Sequence, residues 1–249
     1  MSPPSSTSPT ARWGRWCWIA SLGLSGTAAV LLLAAPLGSQ AGLWTFRGGF
    51  TLLRWAAYVA IAAGALGLAG GLLARRVGPA LAAGALALVV LAVPWQWLRT
   101  ARSVPPIHDI TTDTASPPAF EAVVPLRAGA SNPPDYDPAV AAQQRDAYPD
   151  VVPLDVARPV DEVFEAARRA AETMGWEVVA VDAVRGRLEA VDTTFWFRFK
   201  DDIVVRVAAK DTGARVDVRS KSRVGRSDVG KNAERIREYL AEVRRRVGE

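Results

Sequence analysis

The chain starts with long apolar stretches and changes near residue 99 to shorter, alternating patterns. Three apolar stretches, residues 17–37, 50–73 and 77–98, each approach the ~20 residues needed to cross a hydrocarbon layer of ~30 Å. None contains Asp, Glu or Lys, and only Arg54 intrudes, near an end where its side chain can reach the membrane surface. The pattern predicts three transmembrane helices, preceded by a disordered tail of residues 1–16.

Tryptophan and glycine refine this prediction. Seven of the nine tryptophans flank the apolar stretches, as residues at a membrane surface do: Trp13, Trp16, Trp18, Trp44, Trp55, Trp95 and Trp97. The second stretch repeats glycine at helical spacing: Gly64, Gly67, Gly70 and Gly71. Small residues let helices approach closely, either across a dimer through Gly67 and Gly71 or between spans of one chain. We favour packing within one chain.

Residues 99–158, here called the Pro-rich segment, carry ten prolines between Pro105 and Pro153. Because proline is excluded from helix interiors and central strands, no long helix or central strand fits there. Asp137-Pro138 predicts one short helix through Arg145. A plain linker would be polar, but this segment is rich in apolar residues: Ile107, Ile110, Phe120, Val123, Val124 and Val151. We expect it to wrap or tether the domain that follows.

Residues 159–249 predict a small α+β domain. Residues 159–174 place apolar side chains along one helical stripe, which Gly175 ends. Four strand-like runs follow, separated by turn sequences and alternating as in a sheet with one buried face: residues 176–182, 187–194, 202–210 and 214–220. From Val229 the helical period returns. The predicted order is α-β-β-β-β-α, a four-stranded antiparallel meander flanked by two helices.

Charge separates the two halves of the chain. The formal net charge is +5, yet all 25 acidic residues lie from Asp109 onward, together with 22 of the 30 basic residues. The basic excess therefore belongs to the apolar half, where it consists of arginine. Arginine between apolar stretches is typical of membrane-flanking loops and not of a nucleic-acid surface. We expect a lipid bilayer as partner, and no nucleic acid.

The two sides of the spans carry equal numbers of arginines, so this count does not decide the orientation. Two other arguments place the domain outside the cytoplasm. The Arg75-Arg76 pair occupies a very short connection, where the preference of positive charge for the cytoplasm acts most strongly. The first span also resembles a signal sequence, with Arg12 and Arg15 before the apolar core and small residues at 39–41. The prediction is a multi-pass protein of the cell membrane, with a cytoplasmic N-terminus and an extracytoplasmic C-terminal domain.

One stretch, GRSDVGKN at residues 225–232, differs by one residue from the phosphate-binding loop G-x-x-x-x-G-K-[ST]. Asn232 stands where a hydroxyl would bind Mg²⁺, and Asp228 would place a negative charge in the phosphate cradle. The preceding strand ends an antiparallel meander, whereas such loops follow strands of parallel sheets. We expect neither a nucleotide nor another cofactor.

The same stretch predicts a helix start among basic and polar side chains. Ser227 or Asp228 can cap the free backbone N–H groups, and cations beside a helix start favour a small anion or carboxylate. The candidate anion- or partner-binding residues are Arg219, Ser222, Arg223, Arg226, Ser227, Asn232 and Arg235. The alternative is a solvated basic edge with internal ion pairs, for example between Arg235 and Asp228.

Five residues are candidates for catalysis. His108, the only histidine, lies near Asp109, Asp113 and three threonines, which suits acid–base chemistry but is equally explained by loop turns. Asp201 and Asp202 are adjacent in a strand, so they should point to opposite faces and not share a proton. Neither group has a recognised metal-ligand spacing, so no metal site is expected.

Four stretches within residues 105–245 are long and specific: IHDITTDTASPPAF, AYPDVVPL, RLEAVDTTFWFRFKDDIVVRV and RVDVRSKSRVGRSDVGKNAERIREYL. In them the chain closely resembles the domain-of-unknown-function family numbered 1499. Some members look like three-span membrane proteins and others carry a lipoprotein signal, which implies an extracytoplasmic domain. The resemblance brings no established activity, cofactor or catalytic residue.

The sequence as a whole predicts an integral membrane protein that presents an extracytoplasmic α+β domain for binding or scaffolding. Besides the bilayer, the expected partners are an envelope protein or a small anionic ligand. The alternative is a metal-assisted envelope hydrolase or transferase that uses Asp and His residues of the membrane-proximal segment.

Overall fold

The chain divides into two compact units, Met1–Arg99 and Thr100–Glu249, in a computed structural model that describes residues 9–74 and 77–248. The long helices are α1 (Pro9–Gln40), α2 (Phe46–Ala74) and α3 (Val77–Ser103). Each contains a segment long and apolar enough to cross a membrane: Arg12–Gln40, Phe46–Ala74 and Gly84–Ser103. The three predicted apolar helices are therefore present. The predicted disordered tail overlaps α1 from Pro9 onward, and its residues 1–8 lie outside the described residues.

α1 and α2 pack closely against each other through small residues. The hydroxyl of Ser21 donates a hydrogen bond of 2.7 Å to the carbonyl oxygen of Ala63 across the two helices. A Cβ atom on Gly70 would lie 2.9 Å from the carbonyl oxygen of Gly14, closer than carbon and oxygen tolerate. Gly70 thus lets two helices of the same chain approach, which agrees with the favoured interpretation of the glycine spacing.

The second unit is an α+β domain, as predicted. Its strands are β1 (Asp109–Thr111), β2 (Leu154–Val156), β3 (Glu177–Asp182), β4 (Arg187–Thr193), β5 (Lys200–Lys210) and β6 (Gly213–Ser222). Its helices are α4 (Ala141–Ala147), α5 (Val160–Thr173) and α6 (Lys231–Val247), with short 3₁₀ turns at Val124–Arg127 and Pro138–Val140. The strands form one antiparallel sheet in the order β1-β6-β5-β4-β3, and β2 also pairs with β6.

The predicted number of four strands is wrong, because the Pro-rich segment adds two. β3 to β6 form the predicted meander, but β1 pairs with residues 219–221 of β6 and β2 pairs with residues 214–216. Both additions lie on the same edge of β6 and are three residues long. Proline next to a strand is tolerated at such an edge, where one side of the backbone needs no partner. The prediction that the Pro-rich segment forms no central strand was correct, but the argument from proline did not exclude short edge strands.

α5 and α6 cover one face of the sheet, here called the helix face. α5 buries Val163, Phe164 and Ala167 there. Acidic residues in its first turn interact favourably with the positive end of the helix dipole. In α6 the Tyr239 ring stacks on Trp176 with centroids 4.7 Å apart, and its hydroxyl donates a 2.9 Å hydrogen bond to the carbonyl oxygen of Ala167. The two helices are thereby joined to each other and to the main hydrophobic core.

The opposite face of the sheet, here called the outer face, is also buried. The strand alternation indicated one buried face, yet Val204 on β5 has no exposed surface. The Pro-rich segment crosses this face and packs Phe120 and Val123 against Val191 and Val204. An alternating strand predicts which residues share a face, but it does not show that a proline-rich segment covers the polar face.

Substitution of Gly186 tests the tight turn between β3 and β4. It has φ +60°, and a Cβ there would lie 2.1 Å from the carbonyl oxygen of Val207. We expect Gly186→Ala to lower the free energy of unfolding by at least about 3 kcal/mol, because positive φ and a backbone clash add. The matched control is Gly129→Ala, where φ is +81° but the space is open; its expected loss is about 1 kcal/mol. Thermal unfolding of the detergent-solubilised full chain ranks the two, and equal midpoints would contradict the clash.

Candidate functional site

β6 positions the charged residues of the predicted site on two sides of the sheet. Side chains of a strand alternate between faces, so Arg219 and Lys221 point to the outer face while Ser220 and Ser222 point to the helix face. β1 pairs antiparallel with this part of β6 and places Asp109 directly opposite Lys221. The residues predicted to form one basic edge are therefore separated into two groups by the sheet itself.

On the outer face, Asp109 accepts hydrogen bonds from two nitrogens of Arg219. The Nε–Oδ1 distance is 2.9 Å and the Nη2–Oδ2 distance is 2.8 Å, a bidentate arrangement. Lys221 Nζ lies 2.9 Å from the same carboxylate. All three side chains are buried. The rings of Phe120 and Tyr136 lie 4.7 and 5.4 Å from the guanidinium of Arg219, within the range of cation–π attraction.

A second carboxylate, Asp202, continues this group along the outer face. It has no exposed surface and pairs with Arg223, whose Nη2 lies 2.7 Å away, and with Arg127. We call the six residues the outer-face cluster: Arg127, Arg219, Lys221, Arg223, Asp109 and Asp202. Four cations face two carboxylates, so the cluster carries a formal excess of two positive charges.

Carbonyl groups of the Pro-rich segment accept further N–H groups of the cluster. Arg219 donates to the carbonyl oxygens of Pro118 and Pro134, and Lys221 donates to that of Asp135 at 2.6 Å. Burial lowers the pKa of Lys221; Asp109 opposes this shift, whereas the neighbouring Arg219 and Arg127 add to it. Each cation of the cluster therefore pairs with Asp109 or Asp202, and carbonyl dipoles supplement these two shared carboxylates.

A cavity of about 190 Å³ opens beside the cluster. We call it the His108 cavity; it is lined by Pro106, Ile107, His108, Asp109, Asp137, Val140, Lys221 and Arg226. Nδ1 of His108 lies 3.3 Å from the carbonyl oxygen of Arg226, which assigns the proton of the neutral ring to Nδ1 and leaves Nε2 as an acceptor. Lys221 is buried, whereas the Arg226 side chain is exposed.

The helix-face residues form a separate, closed network. Arg235 donates to Asp192 through Nε at 2.8 Å and to Asp201 through Nη2 at 2.7 Å. Asn232 donates to the hydroxyl of Ser222 at 3.1 Å and to the carbonyl oxygen of His108 at 3.0 Å. Arg235 therefore forms internal ion pairs, as the alternative interpretation expected, but with Asp192 and Asp201 and not with the example given there, Asp228.

The N-terminus of α6 is capped by a carboxylate of the chain itself. Asp228 accepts hydrogen bonds from the backbone N–H groups of Gly230 at 2.8 Å and of Asn232 at 2.9 Å. Burial raises the pKa of Asp228 although these two hydrogen bonds oppose the shift. Ser227 accepts a bond from the N–H of Val229. Asp228 thus occupies the position that a phosphate would need in the near-match to a phosphate-binding loop.

The five candidate catalytic residues do not converge on one site. His108 and Asp109 line the cavity, but Asp113 lies apart and pairs with Arg206 at 3.2 Å. Asp201 and Asp202 point to opposite faces, as predicted from their adjacency in a strand. Among the described residues, no group of three or more His, Cys, Asp or Glu side chains is placed to hold a metal ion.

Sequence reasoning placed Arg226, His108 and Asp109 among its candidates but omitted Lys221, Arg127 and Asp137. The two-residue spacing of Arg219 and Lys221 was a usable signal for Lys221, because alternate residues of a strand share a face. Arg127 carried no such signal. It reaches Asp202 only because a 3₁₀ turn of the Pro-rich segment lies over β5.

Glu189 fastens the Pro-rich segment to the outer face at a second point. Its carboxylate accepts hydrogen bonds from the backbone N–H groups of Glu121 at 2.9 Å and Val123 at 3.0 Å, and it pairs with Arg187 at 2.8 Å. Burial alone would raise the pKa of Glu189, but the hydrogen bonds from Val123, Arg187, Ala122 and Glu121 together lower it. The attachment therefore depends on an ionised carboxylate.

The family described as protein of unknown function (DUF1499) matches residues 109–243, which include the sheet, α5, most of α6 and all residues of the outer-face cluster. No curated protein matches the chain.

The Glu189 attachment should loosen in acid. Because the folded pKa lies below the ordinary value of 4.5, the stabilisation is fully present above about 4.5 and is lost as pH falls through the folded pKa. We expect hydrogen-exchange protection of the Glu121 and Val123 amides to fall in that window. The Val207 amide, which donates to the carbonyl oxygen of Gly186, is the control. In Glu189→Gln the step should vanish. If all three amides lose protection together, the local interpretation fails.

Proposed function

The chain belongs to the DUF1499 family of proteins of unknown function, and we propose that its α+β domain is a binding module for a small anion. The ligand occupies the His108 cavity. The chain is a multi-pass protein of the cell membrane, and the domain lies on the extracytoplasmic side. This function suits the residues better than catalysis, since the carboxylates that a hydrolase or transferase would use are paired with arginine or lysine or serve as caps.

The observation that carries the proposal is the excess of two positive charges in the buried outer-face cluster beside the cavity. Two carboxylates shared by four cations leave each buried cation only partly neutralised, which is costly because carbonyl dipoles replace only part of the lost hydration. An anion in the cavity would interact favourably with Lys221 directly and with the field of Arg219 behind it. At an effective dielectric of about 20, a unit charge 4 Å away contributes roughly 4 kcal/mol before desolvation.

Two buried polar groups near the cluster also lack hydrogen-bond partners within the described part of the chain. The Nε of Arg127 and the hydroxyl of Tyr136 are buried and have no hydrogen-bond partner among the described residues. Such groups are uncommon in folded proteins and usually mark a water, an ion or a functional site. Tyr136 directly precedes Asp137 of the cavity wall, and burial together with the charge of Asp109 raises its pKa. The hydroxyl is therefore a hydrogen-bond donor at neutral pH.

The lining indicates the kind of anion. Lys221 and Arg226 supply positive charge, Asp137 and Asp109 supply acceptors, and Ile107 contributes apolar surface. A ligand with one carboxylate and one N–H or O–H donor can pair with the basic and the acidic residues of the lining. A multiply charged anion would be repelled by the two carboxylates. About 190 Å³ corresponds to roughly six water molecules at about 30 Å³ each. The ligand class is thus a small hydroxy acid or amino acid.

The proposed site is displaced from the helix start that the sequence suggested. Of the predicted anion-binding residues, Arg226 lines the cavity and Arg219 and Arg223 belong to the cluster behind it. Ser222, Asn232 and Arg235 are used in the helix-face network, and Ser227 stabilises the turn before α6.

Arg226→Gln tests the proposal on the full chain in detergent, titrated with acetate, lactate, glycine and phosphate in a calorimeter. We expect the wild-type chain to prefer lactate or glycine over phosphate. Arg226→Gln should weaken binding at least tenfold, since a hydrogen bond to a charged group contributes about 1.5–3 kcal/mol. Arg226 is exposed, so its replacement should leave folding intact.

Arg169→Gln is the matched control, because it removes the same charge at an exposed position of α5 away from the cavity. It should bind like the wild-type chain. Equal weakening in both variants would indicate a general charge effect, and unchanged binding in Arg226→Gln would contradict the cavity as the site.

The location of the domain has its own test, a fusion of alkaline phosphatase after residue 249. The enzyme folds and forms its disulfides outside the cytoplasm, so we expect high phosphatase activity in intact cells. A fluorescent protein that matures in the cytoplasm, fused at the same residue, should be dark. Silence of the phosphatase together with fluorescence of the second fusion would place the domain in the cytoplasm.

A further inference from the structure

The hairpin between β4 and β5 ends in an aromatic tip, residues 194–199 with the sequence TFWFRF. The tip is closed by a 2.8 Å hydrogen bond from the Thr194 N–H to the Phe199 carbonyl oxygen and by a 2.9 Å bond from the Phe199 N–H to the Thr194 hydroxyl. Phe197 is 6% exposed and stacks on Phe199 with centroids 5.6 Å apart. The base of the tip is thus a fixed part of the domain.

The other half of the tip faces outward. Phe195 is 77% and Trp196 is 48% exposed, and their rings meet edge to face with centroids 5.2 Å apart. Arg198 and Lys200 are exposed beside them, and residues 193–200 contain no acid. Arg198 has φ +54°, a left-handed conformation that is unfavourable for a residue other than glycine. A strained, closed turn presents two aromatic rings next to two cations.

We propose that this tip inserts into the interfacial layer of a lipid bilayer, with Phe195 and Trp196 at the acyl boundary and Arg198 and Lys200 at anionic headgroups. Tryptophan, phenylalanine and basic residues together are the composition found at membrane surfaces. Lysine and arginine are also attracted to an anionic membrane surface. The lipid is available to this chain, since three of its helices are long and apolar enough to cross a membrane.

The size of the patch favours lipid over a protein partner. Two aromatic side chains can bury about 150–250 Å² each, whereas a stable protein interface buries about 800 Å² on each partner. The tip alone is therefore too small for a specific protein interface. It is large enough for a membrane contact, because transfer of the exposed area of each ring out of water is favourable. The inference is independent of the anion cavity.

The opposite end of β4 provides an internal control. Val184, in the turn between β3 and β4, is 99% exposed and is apolar like Phe195 and Trp196. The seven residues of β4 separate the two turns, which at about 3.3 Å per residue corresponds to roughly 23 Å. Insertion of the tip should leave Val184 in water, because that distance exceeds the thickness of the interfacial layer.

The test uses the full chain with Cys17→Ser, labelled with an environment-sensitive fluorophore at Trp196→Cys or at Val184→Cys. The proteins are reconstituted into vesicles of phosphatidylcholine and phosphatidylglycerol. We expect the label at 196 to be quenched by nitroxide lipids and protected from iodide, and the label at 184 to show the reverse. Adding Phe195→Ser to the 196-labelled chain should reduce the nitroxide quenching at least twofold.

Three results would overturn the proposal. Equal access of iodide to both labels would place the tip in water. Protection of the 196 label from iodide without nitroxide quenching would show that protein covers it. Nitroxide quenching that is unchanged by Phe195→Ser would show that the label itself drives the insertion.

Discussion

The bidentate pair between Asp109 and Arg219 is the contact on which the domain depends. It joins two residues that are 110 positions apart and makes the Pro-rich segment part of the sheet. A buried ion pair does not by itself stabilise a fold, because the desolvation of both ions can exceed their attraction. Here the excess N–H groups of Arg219 meet the carbonyl oxygens of Pro118 and Pro134, and aromatic rings lie beside the guanidinium. The pair is supported by hydrogen bonds at nearly every donor.

This arrangement gives the two faces of one sheet opposite electrostatic character. On the helix face, Arg235 shares two carboxylates, Asp192 and Asp201, and the network is closed. On the outer face, four cations share two carboxylates, and carbonyl dipoles of the Pro-rich segment accept further N–H groups of these cations. Dipoles orient toward a charge but do not cancel it. The open cavity lies on the side with the surplus, which is why the electrostatics favour an anion there and not at the capped start of α6.

The two proposed contacts use different parts of the domain and different forces. The cavity depends on the formal positive excess of the outer-face cluster beside it. The aromatic tip depends on the area of two rings and on cations that remain solvated. A domain with both contacts would hold a small ligand at one sheet edge while its β4–β5 hairpin touches lipid. Binding at a membrane surface needs no general acid or base, which agrees with a chain that has one histidine.

The length of the apolar stretches by itself determined the three apolar helices. Local periodicity determined the α+β class, the β3–β6 meander and the separation of Asp201 from Asp202, since each follows from 3.6- or 2-residue spacing. Only the tertiary structure decided that β1 and β2 complete the sheet, that Arg235 meets Asp192 and Asp201, and that Arg127 and Lys221 surround the buried carboxylates. These contacts join residues far apart in the chain: Arg127 and Asp202 are separated by 75 positions. Spacing along a chain shows which face a side chain occupies, but the partner on that face is chosen by the packing of a distant segment.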